Sequence, residues 1–347
     1  MTDPVALEAH AADAATDLSQ VTSVLERLGA RMRAQVLGRD DVIELLLVAL
    51  LADGHILLED YPGSGKTTLA KVLGASIEDD PISEAQRAEP IVPFRRIQFT
   101  PDLLPSDITG VSIFDATSQH FEFRHGPIFA HVVLADEINR SSPKVQSAML
   151  EAMAEKQVTV DNTTHALDEL FFVIATQNPL DLIGTYPLPL SQLDRFLFKV
   201  RMEHIGRDAE LDVLETYQER RDVERSDLAR VRRSEVLAAR RALDQGVHIS
   251  PAIRECLVDL SRALRADERV LQGNSTRSLV LLLPALQALA VLRGRDFVSA
   301  EDVELLVPRA LAHRVELAPG IDDADALIRE RMTGSLETLA RSTLRKV

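Results

Sequence analysis

The chain has 347 residues, 46% of them apolar but only 4% aromatic, and a formal net charge of -15, enough to spread a Leu, Ala and Val core over about two domains. The acidic balance excludes a general attraction to nucleic-acid backbones or anionic membranes, so neither nucleic acid nor membrane insertion is expected. The single cysteine, Cys256, excludes an internal disulfide and reads as a small buried hydrophobe; with no apolar run of about 18 residues, the expected compartment is cytoplasmic.

Residues 1–35 are alanine-rich, with Val21, Val24, Leu25 and Leu28 at helical spacing, and predict an N-terminal helical segment. From 36 to 203 helices and strands alternate. A helix is expected at Asp41–Ala52, a strand at Ile56–Leu58, a helix over Gly65–Ala75, and strands at Arg96–Phe99 and Val132–Ala135. A helix over Pro143–Glu155 and a strand at Phe171–Ala175 follow. This alternation predicts an α/β fold with a parallel sheet sandwiched by helices, its unbroken apolar strands buried on both faces. Two stretches, about 108–129 and about 157–170, carry short alternating runs around polar turns and predict hairpin inserts. From 204 to 347 the chain turns to charge-rich amphipathic helices without obvious strands, which predicts a smaller C-terminal all-α domain.

The first predicted strand runs into Asp60-Tyr61-Pro62-Gly63-Ser64-Gly65-Lys66-Thr67-Thr68, a glycine-rich turn that opens a helix. Such a turn aims the amides from Gly63 to Thr67 at an anion, places Lys66 against β- and γ-phosphates and offers the Thr67 hydroxyl to Mg²⁺. Asp60 stands where this motif has its first glycine, upstream of the phosphate-contacting amides. The next informative strand ends in Asp136-Glu137. Asp136 is then the second contributor to the metal, and Glu137 the group that polarises an attacking water. Asn178, after the strand at Phe171–Ala175, can contact the γ-phosphate or the water, or serve as a turn residue before Pro179. Arg195 can pair with Asp194 or reach across a subunit boundary to a neighbour's phosphate. Arg277 opens an apolar helix and can approach a nucleotide between the domains or face solvent.

These residues resemble the AAA+ ATPases, and among them the MoxR family. The resemblance rests on RIQFTPDLLPSDITG at Arg96–Gly110, ADEINR at Ala135–Arg140, ATQNP at Ala175–Pro179, GTYPLP at Gly184–Pro189 and QLDRF at Gln192–Phe196. It covers the chain from about Arg31 to the last helices. It implies a P-loop AAA+ core with a C-terminal lid, Walker A at Lys66 and Thr67, Walker B at Asp136 and Glu137, and sensor 1 at Asn178. It also implies that Arg195 is the arginine finger acting in trans and Arg277 the sensor 2 arginine of the lid. Val36, Leu37 and Gly38 are similar to the family's adenine-side loop, and the inserts to its helix 2 insert and pre-sensor 1 hairpin. Asp60, Leu190, Ser191, Asn274 and Thr276 depart from the usual motifs without removing a group that has an assigned chemical role.

The resemblance further implies ATP and Mg²⁺ as cofactors, a hexameric ring, and chaperone-like remodelling of a protein client bearing a von Willebrand factor A domain. Two alternatives stay open at this level: a DNA-acting motor, and a nucleotide-gated scaffold with little hydrolysis.

Overall fold

The computed structural model describes residues 4–59, 64–80, 91–117, 119–179, 184–218 and 228–344. Asp60, Pro62 and Gly63 lie outside them. The chain opens with α1 (Pro4–Gln35), α2 (Asp40–Leu51), β1 (Ile56–Glu59), α3 (Lys66–Ala75), β2 (Ile77–Glu78) and β3 (Val92–Gln98). Next come α4 (Pro105–Thr109), β4 (Gly110–Asp115), β5 (His120–His125), β6 (Ala130–Asp136) and α5 (Pro143–Glu155). Then follow β7 (Gln157–Val160), β8 (Thr163–Ala166), β9 (Phe172–Gln177), α6 (Leu190–Leu193), β10 (Phe198–Arg201) and α7 (Arg207–Glu215). The C-terminal part holds β11 (Val231–Arg232), α8 (Arg233–Gly246), α9 (Pro251–Arg265), β12 (Val270–Gln272), α10 (Thr276–Leu292), α11 (Ala300–Leu311), β13 (Glu316–Leu317) and α12 (Ala324–Leu344).

Five strands form a parallel sheet in the order β10-β1-β9-β6-β3. Successive side chains of a strand point to opposite faces, and here both faces are dry. Ile56, Leu58, Val132, Leu134, Phe172 and Ile174 join one apolar cluster with α1, α2 and α3. Leu57, Val133, Ala135, Val173 and Ala175 join a second with Val145, Met149 and Leu150 of α5. This two-sided burial is why β6 and β9 read as continuous apolar runs. It also aligns the carboxyl ends of β1, β6 and β9, where ligands of open parallel sheets bind.

Both inserts are antiparallel hairpins, β4 with β5 and β7 with β8. The second turns on Asp161 and Asn162, both at positive φ (49° and 62°), a conformation that Asn and Asp tolerate best among non-glycine residues. The C-terminal part is helical apart from three short strands that the sequence pattern does not reveal. β11 pairs with β2, and β12 with β13; two or three residues are too few to display alternation. Helix α8 lies along α1, where Leu18 would clash with any side chain added at Gly246, and Arg27 pairs with Glu235. The buried Arg31 of α1 donates to Ser76 Oγ at 3.1 Å, fastening α1 to the end of α3.

Candidate active site

The loop after β1 delivers Ser64 and Gly65 to the start of α3. Gly65 has φ +93°, and among the described residues other than its chain neighbours no atom lies within 4 Å of the position a Cβ would take, so the backbone there lies open to a ligand. Lys66 and Thr67 begin the helix. Together they line a cleft of about 520 Å³ with Asp136, Glu137, Gln177 and Asn178, which come from the carboxyl ends of β6 and β9. The structure therefore brings together Ser64, Gly65, Lys66, Thr67, Thr68, Asp136, Glu137 and Asn178, which are contiguous in space but spread over 115 positions of sequence from 64 to 178.

The two carboxylates are held differently. Asp136 is buried, and its Oδ1 accepts from the Thr176 hydroxyl at 2.7 Å. The same hydroxyl accepts from the Glu137 backbone N–H at 2.9 Å, fixing both residues from one point on β9. Glu137 lies in the left-handed region (φ 57°, ψ 49°), at a cost of about 1 kcal/mol or more. That turn ends β6 and swings the Glu137 side chain away from the strand. Its Oε2 accepts from Gln98 Nε2 at 2.8 Å and sits 3.5 Å from Arg140 Nε.

Arg96, Gln98 and Thr176 were not among the expected site residues. Arg96 and Gln98 stand two apart on β3 and so share a face; that polar i, i+2 pair in RIQF was the available signal. Thr176 is the lone hydroxyl in the buried run FVIAT. At the other side of the cleft, Glu59 Oε1 accepts from Lys199 Nζ at 2.8 Å and also from Gln177 Nε2, tying the ends of β1, β9 and β10.

A second cleft of about 570 Å³ shares Ser64, Gly65 and Thr68 with the first. Val36 and Leu37 line it with Ile205, Val213 and Leu214, and Tyr217 lies just beyond α7. This apolar lining beside a polar phosphate cleft suits a heteroaromatic base attached to a phosphate chain. Gly38 adopts φ +66°, and a Cβ there would stand 2.8 Å from that of Ala209 and 3.2 Å from that of Ile205. Arg39 donates from Nη2 to the Ser64 carbonyl at 3.4 Å and from Nη1 to the Glu203 carbonyl, bracing the two clefts against each other.

The donor set fits a nucleotide with a hard cation. Ser64 lines the cleft that the open Gly65 backbone borders, and its buried Oγ has no hydrogen-bond partner among the described residues. Among the described residues no group of three His, Cys, Asp or Glu could form an all-protein cage. Thr67 and Asp136 are the residues that would hold Mg²⁺, which ordinarily keeps waters and phosphate oxygens as its other ligands.

Arg195 and Arg277 line neither cleft. Arg195 follows α6 and donates from Nη1 to the Leu150 carbonyl at 3.0 Å. The ion pair of Asp194 is made instead with Arg314, whose Nε lies 2.8 Å from Oδ1. Arg277 is exposed in the first turn of α10, and its neighbour Ser278 donates to the same Asp194 oxygen at 3.0 Å. The sequence neighbours of the two arginines, Asp194 and Ser278, are thus hydrogen-bonded to each other, apart from the cleft lined by Lys66.

Residues 55–198 match the ATPase family associated with various cellular activities (AAA), and residues 262–331 match the AAA lid domain. The protein named Chaperone MoxR1 of Mycobacterium tuberculosis is 35% identical over 321 residues, 87% of this chain and 78% of that protein. The protein named Uncharacterized protein YeaC of Bacillus subtilis is 45% identical over 315 residues, 89% of this chain and 93% of its own length. A crystal structure from Cytophaga hutchinsonii, named for an inferred ATPase, superposes with a TM-score of 0.77 at 33% identity, covering 96% of this chain and 97% of that one. With a P-loop α/β sheet, a helical C-terminal lid and relatives of this extent, the chain belongs to the MoxR family of AAA+ ATPases.

Proposed function

We propose that this protein is an Mg²⁺-dependent ATPase that assembles as a hexameric ring in the cytoplasm and uses hydrolysis to remodel a protein client. The observation that carries the reading is the meeting of Lys66, Thr67, Asp136, Glu137 and Asn178 in one cleft. Lys66 and the amides of the loop hold the phosphates, and the apolar cleft beside Val36 and Leu37 takes the base. Mg²⁺, when bound between Thr67 and Asp136, offsets charge on the phosphate oxygens. Glu137, set by its left-handed backbone, orients a water for in-line attack on the γ-phosphorus, and Asn178 fixes its position. The bond to the β–γ bridging oxygen breaks, giving ADP and phosphate. Arg195, displaced from its own cleft, offsets charge on the nucleotide of the adjoining subunit, while Arg277, in the first turn of α10, couples nucleotide state to the angle of the lid.

A protein client is favoured by the chaperone name of a relative and by the first hairpin. Phe114 and Phe121 stand 54% and 73% exposed on β4 and β5, with their rings 5.3 Å apart and edge to face. An exposed aromatic pair of this kind suits contact with a polypeptide. The same hairpin carries Asp115 and Glu122 against one arginine, Arg124, a poor footing for a phosphate backbone. A client with a von Willebrand factor A domain is part of this reading.

The test is a pair of variants. Lys66→Ala should lose ATP binding, whereas Glu137→Gln should bind ATP but turn over about 10²- to 10⁴-fold more slowly. Normal turnover by Glu137→Gln would remove that residue from the reaction.

A further inference from the structure

Asp136, the carboxylate available to the metal, already holds a cation of the protein. Arg96 reaches across from the edge strand β3 and donates to Asp136 Oδ2 twice, from Nη2 at 2.6 Å and from Nε at 3.1 Å. The other oxygen, Oδ1, takes the Thr176 hydroxyl. Both oxygens of the carboxylate are thereby engaged, one by a neutral donor anchored in the buried strand and one by a full positive charge. The Arg96 side chain is 48% exposed, so it can swing aside without breaking the core. Its Nη2 also donates to Gln98 Oε1 at 2.6 Å, and Gln98 in turn donates to Glu137. One guanidinium therefore contacts the first Walker B carboxylate directly and the second through one amide.

We propose that Arg96 is a competing cation at the metal position, which a divalent ion must displace from Asp136 before the nucleotide–metal complex forms. This deepens the ATPase reading above and rests on it. A divalent ion approaching Oδ2 meets a like charge within hydrogen-bonding distance of the same oxygen, which is unfavourable until the guanidinium turns away. The freed guanidinium, already half-exposed at the edge strand, turns to solvent. Arg96 is then a specificity-determining residue: it sets how much free Mg²⁺ is needed for tight nucleotide binding. Its release also withdraws one hydrogen bond from Gln98, the amide that holds Glu137.

The experiment measures binding, not turnover. Fluorescence of a methylanthraniloyl ATP probe on the full chain is followed while free Mg²⁺ is raised from chelated levels to saturation. For Arg96→Gln the half-saturating Mg²⁺ concentration should fall about three- to tenfold relative to wild type, a modest shift suited to a half-exposed pair. Arg96→Lys, which keeps the charge but loses the planar fork, should fall between the two. If Arg96→Gln instead raises the Mg²⁺ requirement or weakens probe binding at every Mg²⁺ concentration, Arg96 is a phosphate ligand and the proposal is overturned; an unchanged half-saturation overturns it equally. Failure of the wild-type chain to bind the probe at saturating Mg²⁺ would overturn the ATPase reading itself, which separates the two outcomes.

Discussion

Arg314 Nε donates to Asp194 Oδ1 at 2.8 Å, joining the short turn that follows the lid helix α11 to the residue immediately before Arg195. The same guanidinium donates to the carbonyls of Ala310 at 2.6 Å, Phe196 at 2.8 Å and Asp194 at 3.1 Å. Arg314 is 4% exposed, and burial draws its pKa down while the neighbouring Asp194 charge opposes that shift. A buried cation with this many acceptors is a fixed strut between the lid and the QLDRF loop.

Removing that strut should cost stability and mispoint Arg195. Arg314→Met leaves several buried carbonyls without donors, and a loss of about 3 kcal/mol is expected. The denaturant midpoint of the variant measures it. Asp194→Asn, which keeps the shape, should lose less stability yet still depress ATP turnover, because it loosens the residue beside Arg195. Equal and small losses from both variants would show that the pair carries no strain of position.

A second buried charge cluster makes stability depend on pH. His131, whose side chain is 1% exposed at the start of β6, has Nε2 at 2.7 Å from Asp79 Oδ1 and Nδ1 at 3.5 Å from Asp168 Oδ1. Burial opposes its charged form, but the Asp168 and Asp79 carboxylates outweigh this and raise its pKa above 6.5. Burial likewise pushes Asp168 up, yet His131 and the Arg233 guanidinium of α8 hold it down to about 2. A raised histidine contributes stability that is complete below its unfolded pKa and is lost as pH rises through its folded pKa. His55, drawn down to about 4 by burial, has the opposite slope. The informative quantity is therefore the difference in melting temperature between wild type and His131→Gln. It should be largest at about pH 6 and shrink towards about pH 9; a difference constant over that range would contradict the assignment.

Gly38 separates the loop beside the apolar cleft from α7. Its positive φ and the 2.8 Å approach to Ala209 Cβ leave no place for a methyl group. Gly38→Ala should destabilise the protein by more than about 1 kcal/mol and push α7 outward. Nucleotide affinity, read by calorimetry, should fall with it. Unchanged affinity would mean that α7 does not form part of the base site.

Much of the fold was legible because its signals are contiguous. The turn at Ser64-Gly65-Lys66-Thr67, the apolar strand ending at Asp136, and the fully buried runs of β6 and β9 each carry their chemistry within a few residues. The expected helix over Pro143–Glu155 coincides with α5. Groups brought together by tertiary approach had no such signal. Arg314 meets Asp194 across 120 positions of sequence. Arg96 and Gln98 meet the Asp136–Glu137 pair only because β3 lies beside β6, a neighbour relation that strand patterns do not encode. The same limit hid β2 and β11, two residues each, which pair across more than 150 positions of sequence.

The central claim is that one ATP site draws on two subunits, with Lys66 from one and Arg195 from the next. Mixing Lys66→Ala protein with Arg195→Ala protein tests it most directly. Each should be inactive alone, and the mixture should recover part of the wild-type ATPase, because some interfaces pair an intact Lys66 with an intact Arg195. Mixtures that co-assemble but stay as inactive as the separate variants would contradict the account.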